Sequence, residues 1–319
     1  MEYTHLFGPV CSRRLGRSLG IDLVPFKTCT FDCIYCECGA TTCKTIQREE
    51  FFPASEVKEE LARFLSGEPD LDFITFSGSG EPTLSLSIGQ IIRFLKREYP
   101  EYRVAVLTNG SLLHVPDVRT DLLPADVVLP TLSSTITKTF NRIHRPAGGL
   151  EPTRIIEGLS RFRQVFPGEI WLEVFIIPGL NTAPDELEGL RDAIGRIRPD
   201  RIQLNTLDRP GTEEWVRPAD ADELGRIANV LGLPGTESIE PVRYAPGASI
   251  PTGDMGAHIL AMLKRRPCTL EDIAAVTGLR ITEVSKYLRQ FEQAGLLDTK
   301  KEGRGVFYIV RDQPVDTSE

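Results

Sequence analysis

From about residue 20 to residue 232 the chain alternates short apolar runs with longer stretches of helical period, and this restricts its fold more than any other feature. Strands buried on both faces read as nearly continuous apolar runs, and parallel neighbours need a crossover, usually a helix, between them. The runs are Leu19 to Val24, Asp72 to Phe76, Arg103 to Leu107, Asp126 to Leu132, Ile170 to Ile177 and Arg201 to Leu204. Between them apolar residues recur at helical spacing: Val57, Leu61, Phe64 and Leu65; Ile88, Ile91, Ile92 and Leu95; Ile155, Ile156, Leu159 and Phe162; Leu187, Leu190, Ile194 and Ile197. Six strands with interposed helices give an α/β fold, either an open doubly wound sheet or an incomplete (β/α)6 barrel. Periodicity alone does not separate the two.

A length of 319 residues suits one large domain with a small appendage. Residues 1–240 form the large domain, and the Pro- and Gly-bearing stretch 241–254 reads as a linker. Residues 255–311 form the appendage, and 312–319 a polar tail. In the appendage, helical segments at Met255 to Leu263, Leu270 to Val276 and Ile281 to Ala294 precede a strand pair around Lys300 to Val310 turned at Gly303 to Gly305. This order resembles the winged helix-turn-helix family, with Thr282 expected as the N-cap of the second helix of the pair. The net charge of −8 argues against wholesale coating of nucleic acid, but it is unevenly spread. Residues 255–311 carry ten Lys or Arg against six Asp or Glu, +4, while residues 1–254 sum to −9 and the tail to −3. Arg280, Lys286, Arg289, Lys300, Lys301 and Arg304 fall on the second helix and the wing, where winged helices contact phosphates. No leader and no run of about 20 apolar residues is present, so a soluble cytoplasmic protein away from membranes is expected.

Seven cysteines, an odd number, favour metal binding or redox chemistry over a disulfide framework. Cys29, Cys33 and Cys36 have C-x3-C-x2-C spacing just after the first strand. Three thiolates on one tight loop can hold three corners of a [4Fe-4S] cluster and leave the fourth iron open. A structural zinc site is the alternative, with Cys38 or Cys43 completing the ligand set. Cys11, Cys38 and Cys43 could gather at a second site, whereas Cys268 is expected to be simply packed. A glycine-rich turn, Phe76-Ser-Gly-Ser-Gly-Glu-Pro-Thr-Leu84, follows the second strand; its glycines let backbone approach a ligand, and a carboxylate there can accept from an ammonium.

The cysteine spacing with Tyr35 before the last cysteine, followed in order by these strand-end motifs, resembles the radical S-adenosylmethionine superfamily. The resemblance implies the incomplete barrel, a [4Fe-4S] cluster on Cys29, Cys33 and Cys36, and S-adenosylmethionine chelating the open iron. It implies that Tyr35 lies near the adenine, and that Gly78, Ser79, Gly80 and Glu81 bind the methionyl amino group; Ser79 between the glycines departs from the family's G-G-E pattern, a small residue whose backbone can serve the same role. It further places Asn109 of Leu107-Thr-Asn-Gly110 in the cofactor pocket, Thr131 and Ser133 at the ribose, and Glu173, Ile176, Ile177, Leu204 and Asn205 beside the adenine. All of these fall at strand ends, whose loops converge on one mouth in a parallel barrel. His144, Arg145, Arg209, Glu214 and Trp215 are candidates for the substrate side of that mouth, against an ordinary role in surface ion pairs.

Such an enzyme implies a one-electron donor such as flavodoxin or ferredoxin, and a 5′-deoxyadenosyl radical that takes hydrogen from an unreactive carbon. The segment from Phe7 to Asp22, with Arg13, Arg14 and Arg17, looks like the branch grouped with wyosine-type tRNA base synthases. The leading reading is therefore a radical enzyme acting on a macromolecule such as tRNA, delivered by residues 255–311. A radical enzyme modifying a peptide or protein is a second reading, and an iron–sulfur redox sensor that binds DNA a third.

Overall fold

In a computed structural model, which describes residues 3–239 and 254–311, the alternating segment becomes a sheet whose strands follow chain order. Strands β1 (Leu6–Ser12) and β2 (Gly16–Ile21) form an antiparallel hairpin. A short parallel ribbon of β3 (Thr28–Cys29) and β4 (Cys43–Lys44) follows. Next come α1 (Ala54–Leu65), β5 (Phe73–Phe76), α2 (Ile88–Glu98), β6 (Arg103–Thr108), α3 (Pro116–Leu122), β7 (Val127–Pro130) and α4 (Thr137–His144). The large unit ends with α5 (Pro152–Val165), β8 (Glu169–Phe175), α6 (Pro184–Ile197), β9 (Arg201–Asn205), α7 (Ala221–Leu231) and β10 (Thr236–Ser238).

The sheet order is β1-β2-β5-β6-β7-β8-β9-β10, and from β2 to β10 every pairing is parallel. A doubly wound sheet reverses its order at a switch point and so carries helices on both faces. Here the order never reverses. Right-handed crossovers then put every helix on one face, and the sheet curls into the incomplete barrel. Among the described residues no pairing joins β1 to β10, so the barrel stays open. The hairpin partner β1 and the short β10 were not legible in the alternation; pairing with β1 also starts β2 at Gly16, three residues ahead of the apolar run.

Alternation along the strands separates two environments. Outward residues such as Ile74, Phe76, Val104, Val106, Leu172 and Val174 pack with Val57, Leu61, Ile91 and Leu159 of the helices in the main core. Inward residues Phe73, Ala105, Val127, Leu129 and Trp171 meet Leu15 of the β1–β2 turn and fill the N-terminal half of the barrel. Further along, the inward positions become polar: Thr131, Glu173 and Asn205. A packed floor below a polar rim is what directs chemistry to the C-terminal end of the strands.

By their contacts the described residues divide into 3–207 with 211–239, and 208–210 with 254–311. The second unit holds α8 (Met255–Arg265), β11 (Cys268–Thr269), α9 (Leu270–Thr277), α10 (Ile281–Gln293), β12 (Leu297–Glu302) and β13 (Gly305–Val310). Its antiparallel sheet is ordered β11-β13-β12. Ile259, Leu263, Ile273, Val284, Leu288 and Leu297 form its core, and Cys268 is packed among them. One expectation is corrected. The cap before α10 is Arg280, whose N–H donates to Glu283 Oε2 at 3.0 Å, so Thr282 lies exposed inside the first turn. The expected linker and tail fall almost entirely outside the described residues.

Two helical glycines test the packing in opposite directions. A Cβ on Gly158 of α5 would lie 2.5 Å from His114 N and 2.7 Å from Leu113 C, whereas one on Gly195 of α6 would meet nothing within 4 Å. Helix propensity alone favours Ala at both by up to about 1 kcal/mol. Gly158→Ala should instead lower stability by about 1–3 kcal/mol through overpacking, while Gly195→Ala raises it. Urea unfolding of the two variants checks this, and a gain at both sites would contradict the helix–loop packing described.

Candidate functional site

The three cysteines lie on a loop with little regular structure, and its shape is imposed by neighbours. Lys27, at φ 59°, turns the chain into β3, and Thr42 N and Cys43 N both donate to its carbonyl at 3.1 Å. From the other side the end of α4 grips the loop: Asp32 N donates to His144 O at 2.9 Å, Ile34 N to Ile143 O at 3.0 Å, and Ala147 N to Thr30 O at 2.8 Å. The glycine turn after β5 closes the third side, with Glu81 N donating to Thr28 O at 3.1 Å.

Cys29, Cys33 and Cys36 are half-buried in this clamp. Burial and the nearby Glu81 charge push the Cys29 thiol up to about 12, and burial with the other two cysteines raises Cys33 well above the usual thiol range. Cys36 comes down to about 6, because Cys38 hydrogen-bonds to it and Lys27 adds a positive charge and a hydrogen bond, against the effect of burial. Lys27 Nζ lies 3.1 Å from Cys36 Sγ, His144 Nδ1 3.3 Å from Cys33 Sγ, and Asn109 Nδ2 3.6 Å from Cys29 Sγ. Ligands of one zinc ion sit roughly 4 Å apart, since each lies about 2.3 Å from the metal. Among the described residues no three Cys, His, Asp or Glu side chains converge in that way.

Two of the remaining cysteines, Cys38 and Cys43, lie near the triplet in the chain. Along the backbone, Cys11 pairs in register with Arg17 near the start of β2. Cys38 lies beside Cys36, and Cys43 is exposed on β4.

The strand-end residues share the rim as expected, though several have other duties. Gly78, at φ 148°, and Gly80 are sterically required, because a Cβ would lie 2.5 Å from Asp22 Oδ1 and 2.0 Å from Thr28 O respectively. Ser79 Oγ donates to Asp22 Oδ2 at 3.1 Å. The Glu81 carboxylate is fully buried and already accepts from Thr83 N at 3.0 Å, from the Thr83 and Thr108 hydroxyls, and from Asn109 N at 2.8 Å. It braces the glycine turn against the end of β6, which leaves the turn's backbone as the part able to face a ligand. Burial raises its pKa in spite of those hydrogen bonds. The Asn109 side chain is likewise engaged, donating to Thr30 Oγ1 at 2.7 Å and accepting from Ser111 N. The Tyr35 ring stacks on Phe175, centroids 3.9 Å apart, so one of its faces is covered.

Across the rim, Ser133 Oγ and Asn205 Oδ1 are buried acceptors without a hydrogen-bond partner among the described residues. Buried polar atoms are normally satisfied, so each of these atoms leaves a hydrogen-bonding position that a polar ligand can use. The Ile177 N–H is taken by Asn181 Oδ1 at 2.8 Å. Asn181 was missed in the sequence; its Nδ2 also donates to Ser133 O and Phe175 O, tying the ends of β7 and β8 together. Arg14, singled out in the sequence with Arg13 and Arg17, makes a carboxylate contact. Its guanidinium reaches Glu173 Oε1 at 2.6 Å, where Asn205 Nδ2 and Thr131 Oγ1 also donate to the carboxylate. Burial alone would lift the Glu173 carboxyl, yet Arg14, those two hydrogen bonds and the Arg13 charge hold it below the ordinary range.

The substrate-side candidates are mostly committed elsewhere. His144 is buried behind the cysteine loop among the rings of Phe31, Phe140 and Tyr35, and Arg145 pairs with Glu213 and Asp32. Arg209 belongs to the smaller unit, where it pairs with Asp272. Trp215 is exposed, with Arg142 over its ring.

A parallel incomplete barrel with three clamped cysteines and a polar rim defines a class that sequence comparison confirms. The family described as the Radical SAM superfamily matches residues 23–193, more than half of the chain, and the chain belongs to it. It is thus an enzyme of the radical S-adenosylmethionine type, whose cofactors are a [4Fe-4S] cluster and S-adenosylmethionine. It is 35% identical over 311 residues to a UPF0026 protein of Methanocaldococcus jannaschii, covering 96% of both chains. A protein of Brachyspira hyodysenteriae named GTPase Obg is 34% identical over 296 residues, 92% of this chain and 43% of that one, so this chain spans less than half of that relative. Solved structures with a similar fold include SuiB of Streptococcus suis bound to precursor peptide SuiA, at TM-score 0.53 and 14% identity, covering 69% of this chain and 48% of that one. TYW1 with a lysine–pyruvate adduct bound gives 0.51 and 18% over 67% of this chain and 72% of that one. A radical SAM methyltransferase from Sphaerobacter thermophilus gives 0.52 and 17% over 72% and 67%. At these identities the likeness is one of fold. Among the described residues no helix is long and apolar enough to cross a membrane.

His144 yields a pH test. Burial lowers its pKa to about 3, so between pH 6.5 and 3 the unfolded chain binds a proton that the folded chain refuses. Its contribution to stability is therefore complete above pH 6.5 and declines as the pH falls, by up to about 1.4 kcal/mol per unit. Urea unfolding of the metal-free protein should lose more stability between pH 7 and pH 5 than the His144→Gln variant does. Equal losses in the two proteins would contradict the burial of a neutral imidazole.

Proposed function

We propose that Cys29, Cys33 and Cys36 ligate three irons of a [4Fe-4S] cluster and leave the fourth to the amino and carboxylate groups of S-adenosylmethionine. The observation that carries this reading is one of placement. Three thiols on a clamped loop share a rim with Ser133 Oγ and Asn205 Oδ1, two buried acceptors awaiting a partner. When bound and reduced, the cluster supplies the single electron that splits the sulfonium into methionine and a 5′-deoxyadenosyl radical. The backbone of Gly78, Ser79 and Gly80 takes the methionyl end, Ser133 and Asn205 take the ribose and adenine, and Tyr35 and Ile177 wall the pocket. Glu81 and Asn109 hold that pocket's shape. The apolar floor of Leu15, Phe73 and Trp171 keeps water from the far side of the barrel. Flavodoxin or ferredoxin is the expected electron donor, in the cytoplasm.

The substrate we propose is a macromolecule, tRNA in the leading reading, recruited by residues 255–311 as a winged helix. Thr282, Lys286, Arg289, Gln290 and Gln293 of α10 are all exposed, a mixture of cations and amides suited to phosphates and bases. The wing contributes less than its composition suggests, since Arg304 is held by Asp272 and Asp208 and Lys300 by Glu302.

Protein reconstituted with iron and sulfide without oxygen, then given dithionite and S-adenosylmethionine, should release 5′-deoxyadenosine, and Cys33→Ala should lose both cluster and product. Absence of product from intact protein with verified cluster loading would contradict the assignment. Retention of tRNA or duplex DNA should weaken with salt, and the double change Lys286→Ala, Arg289→Ala should reduce the log–log salt slope by about 2. Unchanged retention would exclude α10, and retention of neither nucleic acid would favour a peptide substrate.

A further inference from the structure

Each sulfur of the cysteine triplet lies beside one side-chain nitrogen, in addition to Tyr35 at Cys33 and Cys38 at Cys36, and the three nitrogens come from separate parts of the fold. Lys27, ahead of β3, points Nζ at Cys36 Sγ from 3.1 Å. His144, the last residue of α4, places Nδ1 3.3 Å from Cys33 Sγ. Asn109, just after β6, holds Nδ2 3.6 Å from Cys29 Sγ. We propose that these side chains, Lys27 foremost, set how readily a cluster on this loop accepts its electron. The inference rests on the assignment of that cluster to the triplet, and it treats the three as positioning residues that act through the ligand sulfurs.

The physical reason is charge. Three thiolates around a doubly positive cubane leave a negative site, and reduction adds one more negative charge. A cation or an N–H directed at a ligand sulfur stabilises the reduced form more than the oxidised one and raises the potential. Lys27 is built for this. It is 2% exposed, it adopts φ 59°, a conformation that disfavours a non-glycine residue, and two backbone N–H groups pin its carbonyl there. Among the described residues its ammonium has no carboxylate partner, so its charge is directed at the thiols. His144 adds a neutral donor in an apolar surround of Phe31 and Phe140, where a hydrogen bond is electrostatically stronger than in water. A cluster-bound thiolate only accepts, which assigns the proton to Nδ1. Asn109, at the longest distance, is the weakest of the three.

The test uses the full chain loaded with iron and sulfide, with iron content and absorbance measured before any titration. The midpoint potential is then followed by electron paramagnetic resonance in wild type, Lys27→Met, Lys27→Arg and His144→Phe. Lys27→Met should lower the potential enough to cut the ratio of reduced to oxidised cluster at a fixed poise by about tenfold, about 59 mV for a one-electron couple. Lys27→Arg should restore most of this, and His144→Phe should shift the potential the same way by less. A fully loaded Lys27→Met protein with an unchanged potential would overturn the inference. Should Lys27→Met fail to load, Lys27→Gln decides: a lowered potential supports the role, and an unchanged one refutes it. If both neutral variants fail to load while Lys27→Arg loads, Lys27 serves assembly and not potential, which also overturns the proposal. Wild-type protein that takes up no cluster would instead remove the cluster assignment itself, and this inference with it.

Discussion

The cysteine loop depends chiefly on hydrogen bonds to other parts of the fold. Beyond the two-residue strand β3, a segment this short carrying three half-buried thiols has little regular structure to hold it, and buried backbone groups must find partners elsewhere. They find them in His144 O and Ile143 O at the end of α4, in the β3–β4 ribbon that pins Lys27, and in Glu81 N from the glycine turn. Each of those partners is anchored to a different stretch of the barrel, so the spacing of the sulfurs is set by the fold as a whole. The incomplete barrel supplies this because its strands run in chain order, which brings the ends of β2, β5 and β7 to one rim.

Much of this was legible in the sequence, and what was missed has a common cause. Alternation of apolar runs and helical stretches located the parallel strands from β2 to β9, since burial on both faces leaves a signal in every residue. The hairpin strand β1 and the short β10 escaped because an edge strand is covered on fewer sides and needs no continuous apolar run. The cysteine spacing and the glycine turn were legible because both are local, a few residues at fixed offsets. Arg14, His144 and Asn181 act across 159, 111 and 48 residues of chain respectively. No spacing rule connects a side chain to a partner that far away, so only the folded geometry shows that Asn181 ties two strand ends or that His144 sits behind Cys33.

Glu81 illustrates the same limit in the opposite sense. Its motif was visible, but a carboxylate beside glycines suggests a ligand contact, and its oxygens are largely taken by Thr83, Thr108 and Asn109. The rim is thereby divided into parts that hold shape and parts that offer free polar atoms. Glu81, Asn109 and Asn181 belong to the first kind, Ser133 and Asn205 to the second. Below them, the ionised Glu173 with Arg14 keeps the middle of the barrel polar above an apolar floor.

The central claim is that three thiolates on a fold-imposed clamp hold a four-iron cluster with one iron open to S-adenosylmethionine. Mössbauer spectroscopy of protein loaded with isotopically enriched iron, recorded before and after addition of S-adenosylmethionine, tests it directly. The account predicts that one iron in four changes its isomer shift and quadrupole splitting on addition while the other three stay as they were. A spectrum that does not respond, or a loaded protein whose irons are all equally affected, would contradict it.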